Sequence, residues 1–171
     1  MIQIPLGSYG QMLVIADSVL QHFRLHRQTK PWHCEAGGQL FAVVSPLELY
    51  VCEATGPRST DKRARHGYKP DRKAEQNEIR ERHLRMLQYV GDWHTHPEGV
   101  PHPSGTDYSS MSDCFRKSKH ALNAFLLAIV GNSTFPRSLH LSLHDRHGCV
   151  EDLKVPASSE KNSITETRGS G

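Results

Sequence analysis

The segment Tyr89-Val90-Gly91-Asp92-Trp93-His94-Thr95-His96-Pro97 constrains the fold more tightly than any other stretch of the chain. Residues 89–93 read as a short apolar strand, and on a strand the side chains at i and i+2 project from one face. His94 and His96 therefore converge on one side while Thr95 points to the other. Pro97 has no backbone donor and ends the ladder. Seven residues after His96 stands Ser104, and two residues separate it from Asp107. Two imidazoles and one carboxylate are the donor set that holds a catalytic zinc with three protein ligands and leaves the fourth position for water. A general base has to come from elsewhere in the chain.

At 171 residues the chain is long enough for one domain that buries roughly 70% of its unfolded surface. It can fold without a cofactor, so a bound metal is expected to be functional rather than structural. A formal charge of +3 is too weak to argue for nucleic acid. The cysteines Cys34, Cys52, Cys114 and Cys149 are scattered, and the amino terminus lacks the basic start and apolar stretch of a signal peptide. No apolar run approaches the ~20 residues of a membrane span. A cytoplasmic protein with reduced thiols is the expectation.

Residues 2–5 and 12–15 read as strands around a turn at Gly7 and Gly10. Asp17 or Ser18 caps a helix that runs to about Arg27, with Val19, Leu20 and Phe23 on its inner face. Gly37 to Val44 and Leu47 to Ala54 form an antiparallel hairpin about Ser45-Pro46. Residues 56–73 are basic and rich in helix breakers, and read as a long loop. A helix is expected from about Ala74 to Gln88 with Ile79, Met86 and Leu87 inward, and a second from about Asp107 to Lys119. Strands near 123–130 and 138–145 close a domain spanning 1–155. From Pro156 the polar composition predicts a disordered tail through 171.

Glu35, in Cys34-Glu35-Ala36-Gly37-Gly38, is the best candidate base. It precedes a central strand whose glycines allow close backbone approach, and it could take a proton from a zinc-bound water and deliver it to a leaving amine. Glu48, Glu53 and Glu98 are the alternatives. Asp107 can open the second helix, where the positive helix end favours its carboxylate. Ser104 reads either as a helix cap or as a donor to the oxyanion of a tetrahedral intermediate, typically worth ~3 kcal/mol. His102 reads as a loop residue or substrate contact rather than a ligand, and the basic loop as solvated or as a clamp over an extended peptide or an acidic partner.

Glu35, Gly37-Gly38, His94-Thr95-His96-Pro97, Ser104 and Asp107 together resemble the JAMM (JAB1/MPN/Mov34) metalloproteases. The phrase from Gly91 to Glu98, Pro103 to Asp107, and Pro70-Asp71-Arg72 are similar to the prokaryotic JAB branch of CBASS anti-phage operons. The resemblance covers about residues 8–150. It implies an α/β (α+β) fold: a cytidine-deaminase-like, curved mixed sheet flanked by helices, with zinc at the sheet edge. It further implies one zinc per chain on His94, His96 and Asp107, Glu35 as general acid/base, and Ser104 at the oxyanion. The implied reaction is isopeptide hydrolysis, releasing a nucleotidyltransferase that a ubiquitin-like E1–E2 enzyme has joined to targets through its carboxy terminus. The alternatives are a JAMM peptidase acting on another ubiquitin-like or sulfur-carrier protein, and a non-catalytic MPN scaffold. Neither membrane nor nucleic acid is expected as a partner.

Overall fold

The computed structural model describes residues 1–7 and 9–157, so the expected tail lies outside the described residues from 158 onward. Strands β1 (Ile2–Leu6) and β2 (Gln11–Ile15) pair antiparallel, helix α1 (Asp17–His26) follows, and β3 (Gly37–Val44) and β4 (Glu48–Ala54) form a hairpin. A small hairpin, β5 (Lys62–Ala64) and β6 (Gly67–Lys69), precedes α2 (Arg72–Leu84) and β7 (Gln88–Thr95). Then come α3 (Gly105–Lys117), β8 (Phe125–Val130), β9 (Leu139–Asp145) and β10 (Gly148–Leu153). Eight strands make one mixed sheet in the order β1-β2-β4-β3-β7-β8-β9-β10, curved until it is nearly closed.

Each face of this sheet has its own cover. On the inner face α1 packs Val19, Leu20 and Phe23 against Leu13, Leu40, Trp93 and Leu141. On the outer face α3 sets Met111 and Phe115 over Phe125, Leu127 and Ile129. All six residues of β8 are buried, which is what a central strand covered on both sides requires. Beside β3 and β7 lies α2, where the Arg82 guanidinium sits over the Phe41 ring, 5.4 Å from its centroid.

The register of β7 decides where the site can form. Leu40 pairs with Gly91 and Phe41 with Tyr89, so Val90 is an extra residue, a β-bulge. Beyond a one-residue slip every side chain changes face. Val90 and Trp93 both enter the inner core because of it, while Asp92 and His94 line the outer cleft. Gly91 makes the bulge possible. Its φ is +147°, and a Cβ there would stand 1.8 Å from the Leu126 carbonyl oxygen of β8.

Five features differ from the sequence expectation. Neither Asp17 nor Ser18 caps α1: Ala16 stands at its N-cap, which has no side-chain hydrogen bond, and Asp17 is already the first helical residue. Within 56–73 the chain forms the β5–β6 hairpin, turning at Arg65-His66, rather than a continuous loop. The second helix starts earlier and ends earlier: Asp71 caps α2 by accepting from Lys73 and Ala74 N–H groups, and Met86 adopts φ +61°. Met86 is consequently exposed, and Glu75 is the buried residue of that helix. At α3 the helix begins at Gly105, two residues before Asp107, because Ser104 caps it. The edge strand β10 was not expected, since Cys149-Val150-Glu151-Asp152 shows no apolar alternation.

Replacing Gly91 with alanine should destabilise the protein by at least ~3 kcal/mol or prevent folding, because the backbone of β8 cannot yield. Gly67→Ala, where a Cβ meets nothing within 4 Å, should be near neutral. Urea denaturation of the pair checks this, and equal stabilities would contradict the bulge's role.

Candidate metal centre and active-site cleft

His94 lies at the end of β7, and His96 follows after Thr95. The His96 N–H donates to the Val130 carbonyl at 3.0 Å, which carries the β7–β8 pairing one residue further before Pro97. Both rings thus leave the sheet at the carboxy-terminal end of a central strand. The sheet edge that carries the site is this row of strand ends.

Asp107 reaches the same point from α3. The Ser104 hydroxyl accepts from the Asp107 N–H at 3.2 Å, and the Asp107 carboxylate accepts from the Ser104 N–H at 2.6 Å. This reciprocal capping box satisfies two end donors of the helix and fixes the direction of the carboxylate. The Ser104 hydroxyl also donates to Asp107 Oδ2 at 2.7 Å. His94 Nε2 and His96 Nε2 are 3.1 Å apart, His94 Nε2 and Asp107 Oδ1 3.2 Å, and His96 Nε2 and Asp107 Oδ2 3.7 Å. Among the described residues these three are the one group of histidine, cysteine and acidic side chains close enough to share an ion. They fit a metal ion.

Electrostatics match the geometry. Burial works against ionisation of Asp107, but hydrogen bonds from His94 and Ser104 hold its carboxyl well below the usual carboxylate range. Burial and the neighbouring His94 push the His96 imidazole down, toward the neutral form a metal ligand needs. Glu35 moves the other way: burial raises its carboxyl above the usual value, His94 opposing and Asp107 assisting.

Glu35 lines the same cleft, of about 650 Å³, as His94, His96, Ser104 and Asp107. Sequence reasoning named these residues, and the structure brings all of them together. Of the alternative bases, Glu53 is held by Arg82 and Arg85, Glu48 lies off the cleft, and Glu98 lines it while accepting from the His102 N–H. Gly38 allows the close approach foreseen for it, since a Cβ there would stand 1.9 Å from the Thr55 carbonyl.

What the sequence did not disclose is the support behind Glu35. Its N–H donates to the Ala64 carbonyl of β5 at 2.7 Å, and Arg63 Nε donates to the Glu35 carbonyl at 2.7 Å. The hairpin is held in turn by Arg58 and Asp61, whose side chains are almost wholly out of solvent. Arg58 bonds Glu78 and pairs with Glu75 and Asp61. Asp61 accepts from the Tyr68 hydroxyl at 3.0 Å and the Asp71 N–H at 2.8 Å. The basic segment is thus a pinned strap. The two acids amid its cations, Asp61 and Asp71, were the available signal.

The chain resembles known proteins over most of its length. Residues 16–141 match the family described as prokaryotic homologs of the JAB domain. A CD-NTase/cGAS isopeptidase of Pseudomonas aeruginosa is 32% identical over 125 residues, 71% of this chain and 78% of that protein. A protein of the same name from Vibrio cholerae is 33% identical over 129 residues, covering 72% and 79%. A probable metalloprotease of Sinorhizobium fredii is 33% identical over 113 residues, covering 62% and 67%. The solution structure of a Desulfitobacterium hafniense protein superposes with a TM-score of 0.58 at 17% identity, covering 82% of this chain and 89% of that one. That last likeness supports the fold. The chain belongs to the prokaryotic JAB family, and it is a hydrolase of the JAB peptidase class. Among the described residues no helix is long and apolar enough to cross a membrane.

The helix that delivers Asp107 rests on a buried histidine. On β9, Leu139, Leu141 and Leu143 face the inner core, and the alternate residue His144 packs its ring 5.4 Å from that of Tyr108 in α3. Its Nε2 lies 2.8 Å from the Ser142 hydroxyl. Burial lowers its pKa to about 4, with Asp152 opposing. The unfolded chain takes up this proton near pH ~6.5, the folded protein only near the lower value. The contribution of His144 to stability is therefore complete above the unfolded value and falls away as the pH drops toward 4, by up to ~3 kcal/mol. His144→Asn should flatten that part of the stability–pH curve in denaturant titrations; an unchanged slope would contradict the assignment.

Proposed function

We propose that this chain is a zinc-dependent isopeptidase. It hydrolyses the amide bond that joins the carboxy terminus of a CD-NTase to an amine of its target, reversing E1–E2 conjugation in cytoplasmic anti-phage defence. The observation that carries the reading is the convergence of His94, His96, Asp107, Glu35 and Ser104 on one cleft, in a chain whose relatives bear that activity in their names. Four cysteines without a disulfide suit a reducing compartment.

The donor spacing supports zinc. Ligands ~2.0–2.1 Å from a tetrahedral zinc lie ~3.3 Å from one another. His94 Nε2 lies 3.1 Å from His96 Nε2 and 3.2 Å from Asp107 Oδ1, both close to that value. His94, His96 and Asp107 would hold the ion, which supplies Lewis acidity by lowering the pKa of a water at its open position and polarising the scissile carbonyl.

Glu35 takes the proton of the attacking water and passes it to the departing amine. Its raised pKa suits a carboxyl that must hold a proton between those two events. Ser104 has two tasks. As the cap it aims Asp107; in the reaction its hydroxyl turns from Asp107 toward the oxyanion, where a donor is worth ~3 kcal/mol.

The test is incubation of the purified protein with a CD-NTase carrying a carboxy-terminal protein fusion. Wild type should cut after the last CD-NTase residue. Glu35→Ala should lose activity by about 10²–10⁴-fold and Ser104→Ala by on the order of 10²-fold. Absence of cleavage by wild type, or substantial turnover by Glu35→Ala, would overturn the reading.

A further inference from the structure

Gln28 lies two residues beyond α1 and is 2% exposed, with every polar atom of its carboxamide in use. Its Oε1 accepts from the Thr95 hydroxyl at 3.0 Å, and its Nε2 donates to the Arg65 carbonyl at 2.8 Å and the His33 carbonyl at 3.2 Å. Thr95 is the residue between His94 and His96, and it is fully buried. Its hydroxyl accepts from the Ala36 N–H at 3.0 Å, and its own N–H donates to the Ala36 carbonyl at 2.8 Å.

The direction of this chain of bonds is forced. A backbone N–H only donates, so the Thr95 hydroxyl accepts from Ala36 and spends its one proton on Gln28. The carbonyls of Arg65 and His33 only accept, so the amide nitrogen of Gln28 must face them. One side chain therefore joins three segments: the end of β7 that carries both histidines, the residues leading into Glu35, and the turn of the β5–β6 hairpin. That hairpin also bonds the Glu35 N–H. No other single side chain among the described bonds joins the hairpin turn to Thr95.

We propose that Gln28 is a positioning residue. Acting through Thr95, it fixes the backbone that bears Glu35 relative to His94 and His96, and so sets the rate of the chemical step rather than metal retention or substrate grip. The proposal rests on the isopeptidase reading above and deepens it. Misplacing a reacting group by about 1 Å costs on the order of 10²-fold in rate, and loosening the Thr95 side of the Glu35 segment, while β5 still holds the other side, permits a shift of that size.

The experiment compares wild type, Gln28→Met, Thr95→Val and Thr95→Ser as full-length protein loaded with zinc. Gln28→Met and Thr95→Val should each lose on the order of 10²-fold in kcat on the CD-NTase fusion, with KM and metal stoichiometry close to wild type. Thr95→Ser, which keeps the hydroxyl, should recover most of the rate. Hydrogen exchange over residues 33–38 supplies a second readout that needs no substrate: faster exchange in Gln28→Met and Thr95→Val than in wild type and Thr95→Ser is expected. Unchanged kcat in both variants, a loss confined to KM or metal content, or equal exchange in all four proteins would overturn the proposal. If Gln28→Met does not fold, the Thr95→Val and Thr95→Ser pair decides it. A wild type that cleaves nothing would sink the isopeptidase reading alone, and the exchange arm would still decide the tether.

Discussion

At Val90 and Gly91 the backbone of β7 carries one residue more than β3 opposite it, and the whole site depends on that extra residue. Strict alternation from Tyr89 onward would send His94 into the apolar core beside Phe23. The bulge lets Trp93 take that place, where its ring stands 5.1 Å from Phe23 and its Nε1 donates to the Thr55 carbonyl at 2.8 Å. The histidines are left to face α3. A large buried indole and a pair of half-buried imidazoles are thus two consequences of one backbone irregularity. The cost of an irregular ladder is offset by the burial of Trp93, since an aromatic side chain contributes about 1.5–3 kcal/mol on leaving water.

Around that strand the site is assembled from pieces distant in sequence, and each is held by bonds that leave it little freedom. Asp107 is aimed by a helix cap, a local device spanning four residues. Glu35 is aimed by non-local pairing: β5 on one side, Thr95 on the other, with Gln28 joining the two. Beneath the hairpin, Arg58 neutralises a set of buried carboxylates. Removing one partner from such a set costs far more than forming it gains, because an uncompensated charge stays buried. The strap is therefore rigid although its sequence is dominated by charged residues. Together these bonds place two imidazoles, a carboxylate, a second carboxyl with raised pKa and a hydroxyl on one cleft, the arrangement on which the proposed hydrolysis rests.

Much of this was legible in the residues because the signals are local. His-x-His at a strand end, Pro97 closing the ladder, and Ser104 three residues before Asp107 each carry their meaning within a few positions. The double role of Ser104, cap and prospective donor, was visible as two competing readings, and the structure keeps the first in place. The bulge was not legible. Val90-Gly91 reads as ordinary strand, and only the pairing with Leu40 and the closeness of Leu126 show what Gly91 is for. The β5–β6 hairpin was missed because its three-residue strands are half charged and mostly exposed, with no apolar period to read. The end of α2 was misplaced for a similar reason: Met86 and Leu87 look like one continuing face, yet a positive φ at Met86 separates them. Gln28, a single polar residue after a helix, carries no signal until its three partners are seen.

The central claim is that His94, His96 and Asp107 act together as the ligands of one catalytic zinc. The most direct measurement is the metal content of the purified protein by elemental analysis, beside His94→Ala and Asp107→Ala purified identically. One zinc per wild-type chain and almost none in either variant is the expected result, with both variants still folded. Zinc content close to that of wild type in both variants would contradict it.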